Sequence, residues 1–300
     1  MKLGNIGLVK DAIRDHPLTK DAPRPALQRW LRWQVSSRLA PGPIAVPWVD
    51  DTQLLLSAGM WGGTMNVYCG RQDFDLTGFM LHLLNKEDLF VDAGANIGIF
   101  SILASGVRRC QTIAVEPVSK AADHIRAAAQ LNGITNFIDI QEVVLSDEPG
   151  EVSFTADLDT LNHVDTTANG AGSISVPALT LDKLVDGAVP TFIKIDVEGY
   201  ETPVLAGATE VLAAPGLLAL SVELDGHGAR YGFDEASVPG TLNAAGLEAA
   251  AYDPLTRSLS LVGDAFDATE NSLFVRAAAI EEIRERLASS PAFRVLDRSV

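Results

Sequence analysis

The chain has 300 residues, 47% hydrophobic and 21% charged, a composition typical of a soluble globular protein with one large α/β domain and an appended region. Its 23 basic and 39 acidic residues give a formal charge of −16, the wrong sign for binding a nucleic-acid backbone. The two cysteines, Cys69 and Cys110, form no CxxC pair, so neither a disulfide framework nor a cysteine zinc site is indicated. No apolar run has the length of a membrane span and no signal-type segment opens the chain, so we expect a cytoplasmic protein.

Residues 1–85 form the first of two predicted regions. Six prolines punctuate this stretch, and it holds all four tryptophans: Trp30, Trp33, Trp48 and Trp61. Residues 26–39 carry apolar side chains near helical spacing, which predicts an amphipathic helix. We expect this helix to pack on the main domain, with a substrate lid as the alternative.

Residues 86–300 form the second region, in which short apolar runs alternate with helical patterns. This order is typical of βαβ units and predicts an α/β fold with a doubly wound, seven-stranded, mostly parallel sheet of Rossmann-like type. The predicted strands cover residues 89–93, 112–116, 138–144, 192–197, 217–224, 247–252 and 272–276, and the predicted helices 97–105, 120–132 and 201–213. An insertion at residues 151–184, with an edge strand at 152–155 and a Gly/Ser-rich turn at 169–173, has the length expected of a functional loop.

A glycine-containing turn follows the first strand of this sheet. Residues 90–98 read as a buried strand, a turn and a helix start, which places backbone N–H groups around a ligand at the carboxyl edge of the sheet. The spacing is Gly94-x-Asn96-x-Gly98, and Asn96 tolerates left-handed backbone angles almost as glycine does. Glu116 ends the next strand, where a carboxylate can accept both hydrogen bonds of a ribose diol. Turn and carboxylate together predict a site for a nucleoside-containing cofactor.

Four segments carry a resemblance to a known family: VDAGANIG at 91–98, AVEP at 114–117, LSD at 145–147 followed by Gly150, and IKIDVEGYE at 193–201. Together they resemble the FkbM family of S-adenosylmethionine-dependent methyltransferases, over roughly residues 75–277. The resemblance implies the class I methyltransferase fold and S-adenosyl-L-methionine as cofactor. By the family pattern Asp92 and the turn would hold the methionine portion, Glu116 the ribose hydroxyls, and Asp196 would lie at the methyl-transfer end. The implied cofactor residues are Asp92, Gly94, Asn96, Gly98, Glu116, Pro117, Glu142, Val143 and Asp196, with Asp139 near the adenine.

The strand around residues 193–198 alternates apolar and charged side chains. Lys194, Asp196 and Glu198 share one face of a strand that would normally be apolar on both, and burying unpaired charge is costly. Two interpretations stay open. One is a structural ion pair between Lys194 and Asp196 with Glu198 capping the next helix, and the other is a functional site.

Transfer of a methyl group to a hydroxyl requires an in-line acceptor and a base for its proton. The candidate catalytic residues are Asp196, Glu223, His227 and Lys194, with His163 ranked behind them. Glu223 and His227 follow the fifth strand, on a glycine-flanked loop expected to face the site. A divalent cation on Asp196, Glu223 and Asp225 is the competing mechanism; we do not favour it, because neighbouring carboxylates are common in acidic proteins.

The sequence therefore predicts an S-adenosylmethionine-dependent O-methyltransferase acting on a hydroxyl of a sugar, glycolipid, polyketide or similar small molecule. One alternative is a noncatalytic cofactor-binding module of the same fold, because fold does not establish function. Another is a nicotinamide-dependent oxidoreductase, which Asn96 and the missing Gly-x-Gly-x-x-Gly spacing disfavour.

Overall fold

The N-terminal region is mostly helical in the computed structural model, which describes residues 4–156, 162–165, 173–263 and 271–300. It contains α1 (Gly4–Asp15), α2 (Pro23–Leu39), the antiparallel strands β1 (Ile44–Pro47) and β2 (Gln53–Leu56), α3 (Trp61–Cys69) and α4 (Phe74–Leu83). The helix predicted at residues 26–39 begins at Pro23 instead, because a proline in the first turn of a helix removes no hydrogen bond.

The rest of the chain alternates strands and helices as predicted. Its elements are β3 (Leu89–Ala93), α5 (Ile99–Leu103), β4 (Gln111–Val115), α6 (Ser119–Leu131), β5 (Ile138–Gln141), β6 (Val144–Leu145), β7 (Gly150–Thr155), β8 (Ser173–Leu179), α7 (Leu181–Val185), β9 (Phe192–Ile195), α8 (Glu201–Ala206), α9 (Thr209–Ala213), β10 (Ala219–Val222), α10 (Val238–Ala244), β11 (Leu247–Asp253), β12 (Ser258–Leu261), β13 (Ser272–Arg276), α11 (Ile280–Ser289), β14 (Arg294–Val295) and β15 (Arg298–Ser299). A π-helical turn, Ala104–Arg108, continues α5.

The central sheet has eight strands in the order β12-β11-β13-β10-β9-β3-β4-β5. The five strands from β10 to β5 run parallel, while β13 runs antiparallel between β10 and β11. The predicted α/β, mostly parallel sheet is thus confirmed, with β12 as an additional antiparallel edge strand that the sequence analysis missed. Since the chain passes from β3 outward to β5 and then returns to β9 on the other side of β3, a crevice opens at the carboxyl ends of β3 and β9.

The N-terminal helices share one hydrophobic core with this sheet. Trp33 of α2 and Phe79 of α4 belong to the same buried cluster as Phe90 of β3 and Phe293 near the C-terminal end. Nearly all of α4 is buried, which explains why its sequence shows no amphipathic pattern. Cys69 and Cys110 are both buried free thiols.

Two predicted elements are divided in the structure. The strand predicted at 138–144 ends at Gln141, and β6 leaves it to join a second sheet, β6-β8-β7, which contains the predicted edge strand. The helix predicted at 201–213 is interrupted at Gly207, where the Ser146 carbonyl approaches so closely that an added Cβ would lie 2.1 Å from its oxygen. Most of the predicted Gly/Ser-rich turn, residues 169–172, lies outside the described residues.

Within the described part of the chain, no helix combines the length and the apolar character that crossing a membrane would require.

Arg276, at the end of β13, closes one end of the sheet. Its guanidinium is buried and donates to four backbone carbonyls, those of Leu212, Ala214, Leu217 and Ala245. Burial lowers the pKa of Arg276. The four carbonyl oxygens accept hydrogen bonds from the N–H groups of the guanidinium and so compensate for its burial. These bonds join β13 to the segments that precede β10 and β11.

We therefore expect Arg276→Met to lower the free energy of unfolding by about 2–4 kcal/mol, because it leaves buried carbonyls without donors. Arg284→Met is the matched control, since Arg284 is half-exposed on α11 and pairs with Glu281 at the surface. Urea unfolding of both variants measures the difference. Equal losses in the two variants would contradict the structural role of Arg276.

Candidate active site

A cavity of about 960 Å³ opens at the carboxyl edge of the sheet, where β3, β4, β9 and β10 end. Its wall is formed by residues of the N-terminal region, the turns after β3 and β4 with the first turns of α5 and α6, the small sheet, and the turns after β9 and β10. Wall residues of the predicted site are Gly94, Asn96, Glu116, Pro117, Val143, Lys194, Asp196 and Glu223. Most of the predicted site therefore lies in one cavity.

The glycine turn after β3 requires its glycines. Gly94 and Gly98 have positive φ of 78° and 81°, and Asn96 also adopts a left-handed φ of 51°, as its residue type allows. A Cβ on Gly94 would lie 1.7 Å from the backbone oxygen of Asp196, so this position brings two loops into direct contact. The N–H groups of Gly94 and Ala95 both donate to the Val115 carbonyl, at 3.1 and 2.9 Å, which fixes the turn against the end of β4.

Glu116 lies at the cavity wall directly after β4. Its two carboxylate oxygens accept hydrogen bonds from the Asn96 and Val118 N–H groups, each at 2.9 Å. Burial raises the pKa of Glu116 to about 7, while these two backbone donors act in the opposite direction. The carboxylate is thus fixed in orientation, with lone pairs left for a ligand in the cavity.

Three residues predicted to hold the cofactor lie away from the described part of the cavity wall. Asp92 is buried behind it and accepts hydrogen bonds from the Ser101 N–H and hydroxyl at 3.0 and 2.6 Å, while its second oxygen has no partner among the described residues. Gly98 packs against α6. Glu142 faces the protein surface, where its carboxylate accepts from Arg126 and Ser119, each at 2.5 Å.

Lys194, Asp196 and Glu223 meet at the opposite end of the cavity. The Lys194 ammonium donates to Asp196 Oδ2 at 2.7 Å and lies over the Phe100 ring, 4.9 Å from its centre. Burial alone would lower the pKa of Lys194, but Asp196, Asp92 and Glu223 together raise it above its ordinary value. The ion pair is therefore confirmed, and because both partners line the cavity, it is also part of the candidate site.

Glu223 adds a second carboxyl group next to Asp196. Burial and the neighbouring Asp196 carboxylate both raise the pKa of Glu223, because two adjacent carboxylates cannot both ionise without cost. One of its oxygens is buried without a hydrogen-bond partner among the described residues. Asp196 and Glu223 together form a carboxyl pair that can share a proton at the cavity wall.

Glu198 is a wall residue, and the helix cap that one of the two interpretations gave it is not found: no side chain among the described residues caps α8. The turn before α8 is held by Glu201, whose Oε1 accepts from the Val197 and Gly199 N–H groups at 3.0 and 3.1 Å. Glu198 instead has a left-handed φ of 57° and turns toward the cavity. Burial, Asp196 and Asp225 raise the pKa of Glu198 to about 7.

His227 lies behind Glu198 and outside the described cavity wall. Its Nδ1 is 3.2 Å from Glu198 Oε2 and 2.7 Å from Asp225 Oδ2. Glu198, Glu223 and His227 each offer one possible metal-ligand atom, all within 4.8 Å of one another, so this set differs from the predicted Asp196, Glu223 and Asp225. His163 also lies off the wall, although its neighbours Asn162 and Val164 are part of it.

Several wall residues are not among the predicted site residues. Ser57, Met60, Gln72 and Asp73 come from the N-terminal region, and Tyr200 follows Glu198. Tyr200 is held by edge-on contacts with the rings of Tyr231 and Phe233, at 5.3 and 5.9 Å between centres. These positions are brought to the cavity only by tertiary packing.

The strand order, the glycine turn and the carboxylate after the second parallel strand define a class I methyltransferase fold. Residues 92–236 match the family model of the methyltransferase FkbM domain, so the resemblance predicted from the sequence is confirmed.

Individual relatives are distant. A hexuronic acid methyltransferase, AglP, from Haloferax volcanii is 28% identical over 145 residues, which are 47% of this chain and 59% of that protein. The crystal structure of an FkbM methyltransferase from Methylobacillus flagellatus is 16% identical, with a TM-score of 0.43 over 64% of this chain and 44% of that one. The C-terminal domain of precorrin-6Y C5,15-methyltransferase from Rhodobacter capsulatus is 16% identical, with a TM-score of 0.37 over 67% of this chain and 84% of that one. The chain thus spans less than two thirds of the first two proteins.

Gly199 locks the two loops that carry the charged end of the cavity. A Cβ at this position would lie 2.6 Å from the carbonyl carbon of His227, and φ is +95°. We expect Gly199→Ala to destabilise the fold by at least about 2 kcal/mol more than Gly226→Ala, which has similar backbone strain (φ +90°) but open space around it. Thermal or urea unfolding of the pair measures this difference, and similar losses in both would show that the two loops are not locked at Gly199.

Proposed function

We propose that this protein is an S-adenosylmethionine-dependent O-methyltransferase whose acceptor is a hydroxyl of a sugar or sugar-containing metabolite. The observation that carries the proposal is a single cavity with a ribose-type carboxylate, Glu116, at one end and the Lys194–Asp196–Glu223 group at the other. The FkbM domain supports methyl transfer, and the distant hexuronic acid methyltransferase supports a sugar acceptor.

The residues present fit the cofactor. The nucleoside would be held by Gly94, Asn96, Glu116, Pro117 and Val143, which all line the same part of the wall. Glu116 retains acceptor capacity for ribose hydroxyls after its two backbone bonds. Bound there, S-adenosylmethionine supplies an electrophilic methyl group.

Asp196 is the proposed base. Lys194 donates to its Oδ2. Glu223 also lies within hydrogen-bond reach of the Asp196 carboxylate, so an acceptor hydroxyl would share that carboxylate with Glu223. The hydroxyl proton would pass to Asp196 as the acceptor oxygen takes the methyl group and the methyl–sulfur bond of the cofactor breaks, which leaves S-adenosylhomocysteine. Glu223 has a raised pKa and stays protonated near neutral pH. Its carboxyl group can therefore donate a hydrogen bond to Asp196. His227, behind Glu198, is then a positioning residue for the loop and does not contact the acceptor.

The charge of the wall favours an uncharged acceptor group near the reacting end. Asp196, Glu198 and Glu223 contribute acidic groups there, and the Lys194 ammonium is already paired with Asp196. Lys120, the other lysine among the described wall residues, follows Glu116 at the start of α6. An acceptor carboxylate beside Asp196 and Glu223 would therefore meet like charge next to a lysine that is already paired. We therefore propose that the acceptor is a neutral sugar and not a uronate at the methylated position.

Cofactor binding should depend on pH through Glu116. Only the ionised carboxylate offers all its lone pairs to ribose hydroxyls, and its pKa of about 7 makes it mostly protonated at pH 6. The affinity for S-adenosylhomocysteine, measured by calorimetry, should therefore rise by about tenfold from pH 6 to pH 8. Glu116→Gln should bind more weakly by about 1–3 kcal/mol and lose this pH dependence.

The matched control is Glu142→Gln, which changes an exposed carboxyl that faces away from the cavity. This variant should keep both the affinity and the pH dependence. A folded wild-type protein that binds no S-adenosylhomocysteine would overturn the proposed cofactor, and binding of NAD in the same experiment would favour the oxidoreductase.

Catalysis should depend on Asp196 more than on His227. Asp196→Asn should lower kcat for methyl transfer by about 10²–10⁴-fold while leaving the affinity for S-adenosylhomocysteine within about threefold. Glu223→Gln, which mimics the protonated carboxyl, should fold normally and lower kcat by about tenfold or less, and His227→Gln should behave similarly. Rates with neutral glycosides and with uronates measure these effects.

The alternatives give different results in the same assay. If no glycoside or uronate is methylated although the cofactor binds, the noncatalytic module is favoured. A kcat that survives Asp196→Asn would refute the assigned base. Loss of activity in the presence of a chelator, restored by a divalent cation, would favour the metal mechanism through Glu198, Glu223 and His227.

A further inference from the structure

Helix α2 presents an exposed apolar stripe to solvent. Leu31, Val35 and Leu39 follow one another at four-residue spacing, which places them on one helix face, and they are 58%, 53% and 80% exposed. Exposed large apolar side chains are ordinary when scattered singly, but a contiguous row marks an interaction surface. The opposite face, with Ala26 and Trp33, packs into the core.

Arginines flank this stripe, and α2 contains no acidic residue. Arg24, Arg32 and Arg38 are exposed, and none of them forms an ion pair with a carboxylate in the described part of the chain. Arg29, the fourth, is turned inward and donates to the Tyr68 carbonyl. A basic apolar face is unusual on a chain with a net charge of −16.

We propose that α2 docks on an anionic lipid surface, with Leu31, Val35 and Leu39 in the headgroup region and Arg24, Arg32 and Arg38 against lipid phosphates. The combination of an apolar row, flanking arginines and a helix lying along the protein surface is the pattern of an interfacial helix. Each arginine near such a surface strengthens binding by about fivefold. The acidic remainder of the protein is screened beyond about 8–10 Å at physiological salt, so attraction is limited to the orientation with α2 toward the lipid.

A second copy of this chain fits the same face less well. Pairing two α2 helices would bring arginines against arginines, because the helix offers no carboxylate to oppose them. A lipid surface instead supplies both the apolar layer and the negative charge. The charge on the helix thus favours lipid over self-association.

The chain leads from the end of α2 directly to the cavity wall. Leu39 ends α2, and Pro43 on the following segment is already part of the cavity wall, together with Ser57 and Met60. Docking through α2 would therefore bring this side of the cavity to the lipid–water boundary. If the proposed methyl transfer holds, the acceptor hydroxyl belongs to the headgroup of a glycolipid; the docking itself does not depend on that function.

The test is flotation of the full chain with phosphatidylcholine vesicles, with and without phosphatidylglycerol. We expect binding to the anionic vesicles, roughly tenfold or more stronger than to the neutral ones, and a steep loss as salt is raised. The triple variant Arg24→Gln, Arg32→Gln, Arg38→Gln should lose this binding, and Leu31→Gln with Val35→Gln should weaken it at every salt concentration.

Matched control variants separate the effect of the α2 face on vesicle binding from the effect of the protein's overall charge. Lys86→Gln, Lys183→Gln and Arg284→Gln remove the same number of charges from exposed positions outside α2, and Leu255→Gln removes a 52% exposed leucine elsewhere. These variants should bind vesicles like the wild type. All variants should retain S-adenosylhomocysteine affinity, so loss of vesicle binding and failure of the proposed function give different results.

The proposal is overturned if the wild type does not float with anionic vesicles at low salt, or if the control variants lose binding as much as the α2 variants. It is also overturned if the wild type sediments as a dimer that the Leu31→Gln, Val35→Gln variant converts to a monomer without any vesicle binding, because a second copy then covers the face.

Discussion

The carboxyl edge of the sheet depends on one buried ammonium group, that of Lys194. Three acidic side chains surround it: Asp92 at the end of β3, Asp196 after β9 and Glu223 after β10. Without this cation the three carboxyl groups would face one another in a poorly hydrated space, and removing one partner of a buried pair costs about 3–5 kcal/mol. The single positive charge therefore sets how far the acidic groups can approach and which of them stays ionised.

The Lys194 ammonium also connects the turn after β3 with the turns after β9 and β10, because its acidic neighbours lie on these strands and turns. Asp92 also accepts from the backbone N–H and hydroxyl of Ser101, so it ties α5 and the glycine turn to the charged group. On the other side, the Gly94–Asp196 and Gly199–His227 contacts fix the turns against each other through backbone atoms. The turns around the cavity are thus parts of one rigid edge, and in-line transfer between two molecules bound there would require such an edge.

The sequence predicted those features that local pattern determines. The turn at Gly94, Asn96 and Gly98, the carboxylate Glu116 and the Lys194–Asp196 pair follow from strand alternation and turn chemistry, and their placement agrees with the structure. What it missed depends on long-range packing: the edge strand β12, the break at Gly207 under the Ser146 carbonyl, and the wall residues from the N-terminal region. The turn of Glu198 toward the cavity depends on its left-handed backbone, which strand alternation does not predict and the residue type does not indicate.

The structure also shows how the overall charge of −16 is distributed over the protein. In the sequence it disfavours a nucleic-acid partner, but its distribution is uneven: Asp196, Glu198 and Glu223 collect at the cavity wall, while α2 carries four arginines and no acid. Because charges act over only about a Debye length, each face of the protein attracts or repels a partner through its own charges and not through the net charge. A neutral acceptor in the cavity and an anionic surface under α2 are therefore compatible in the same molecule, since each meets only the charge that is next to it.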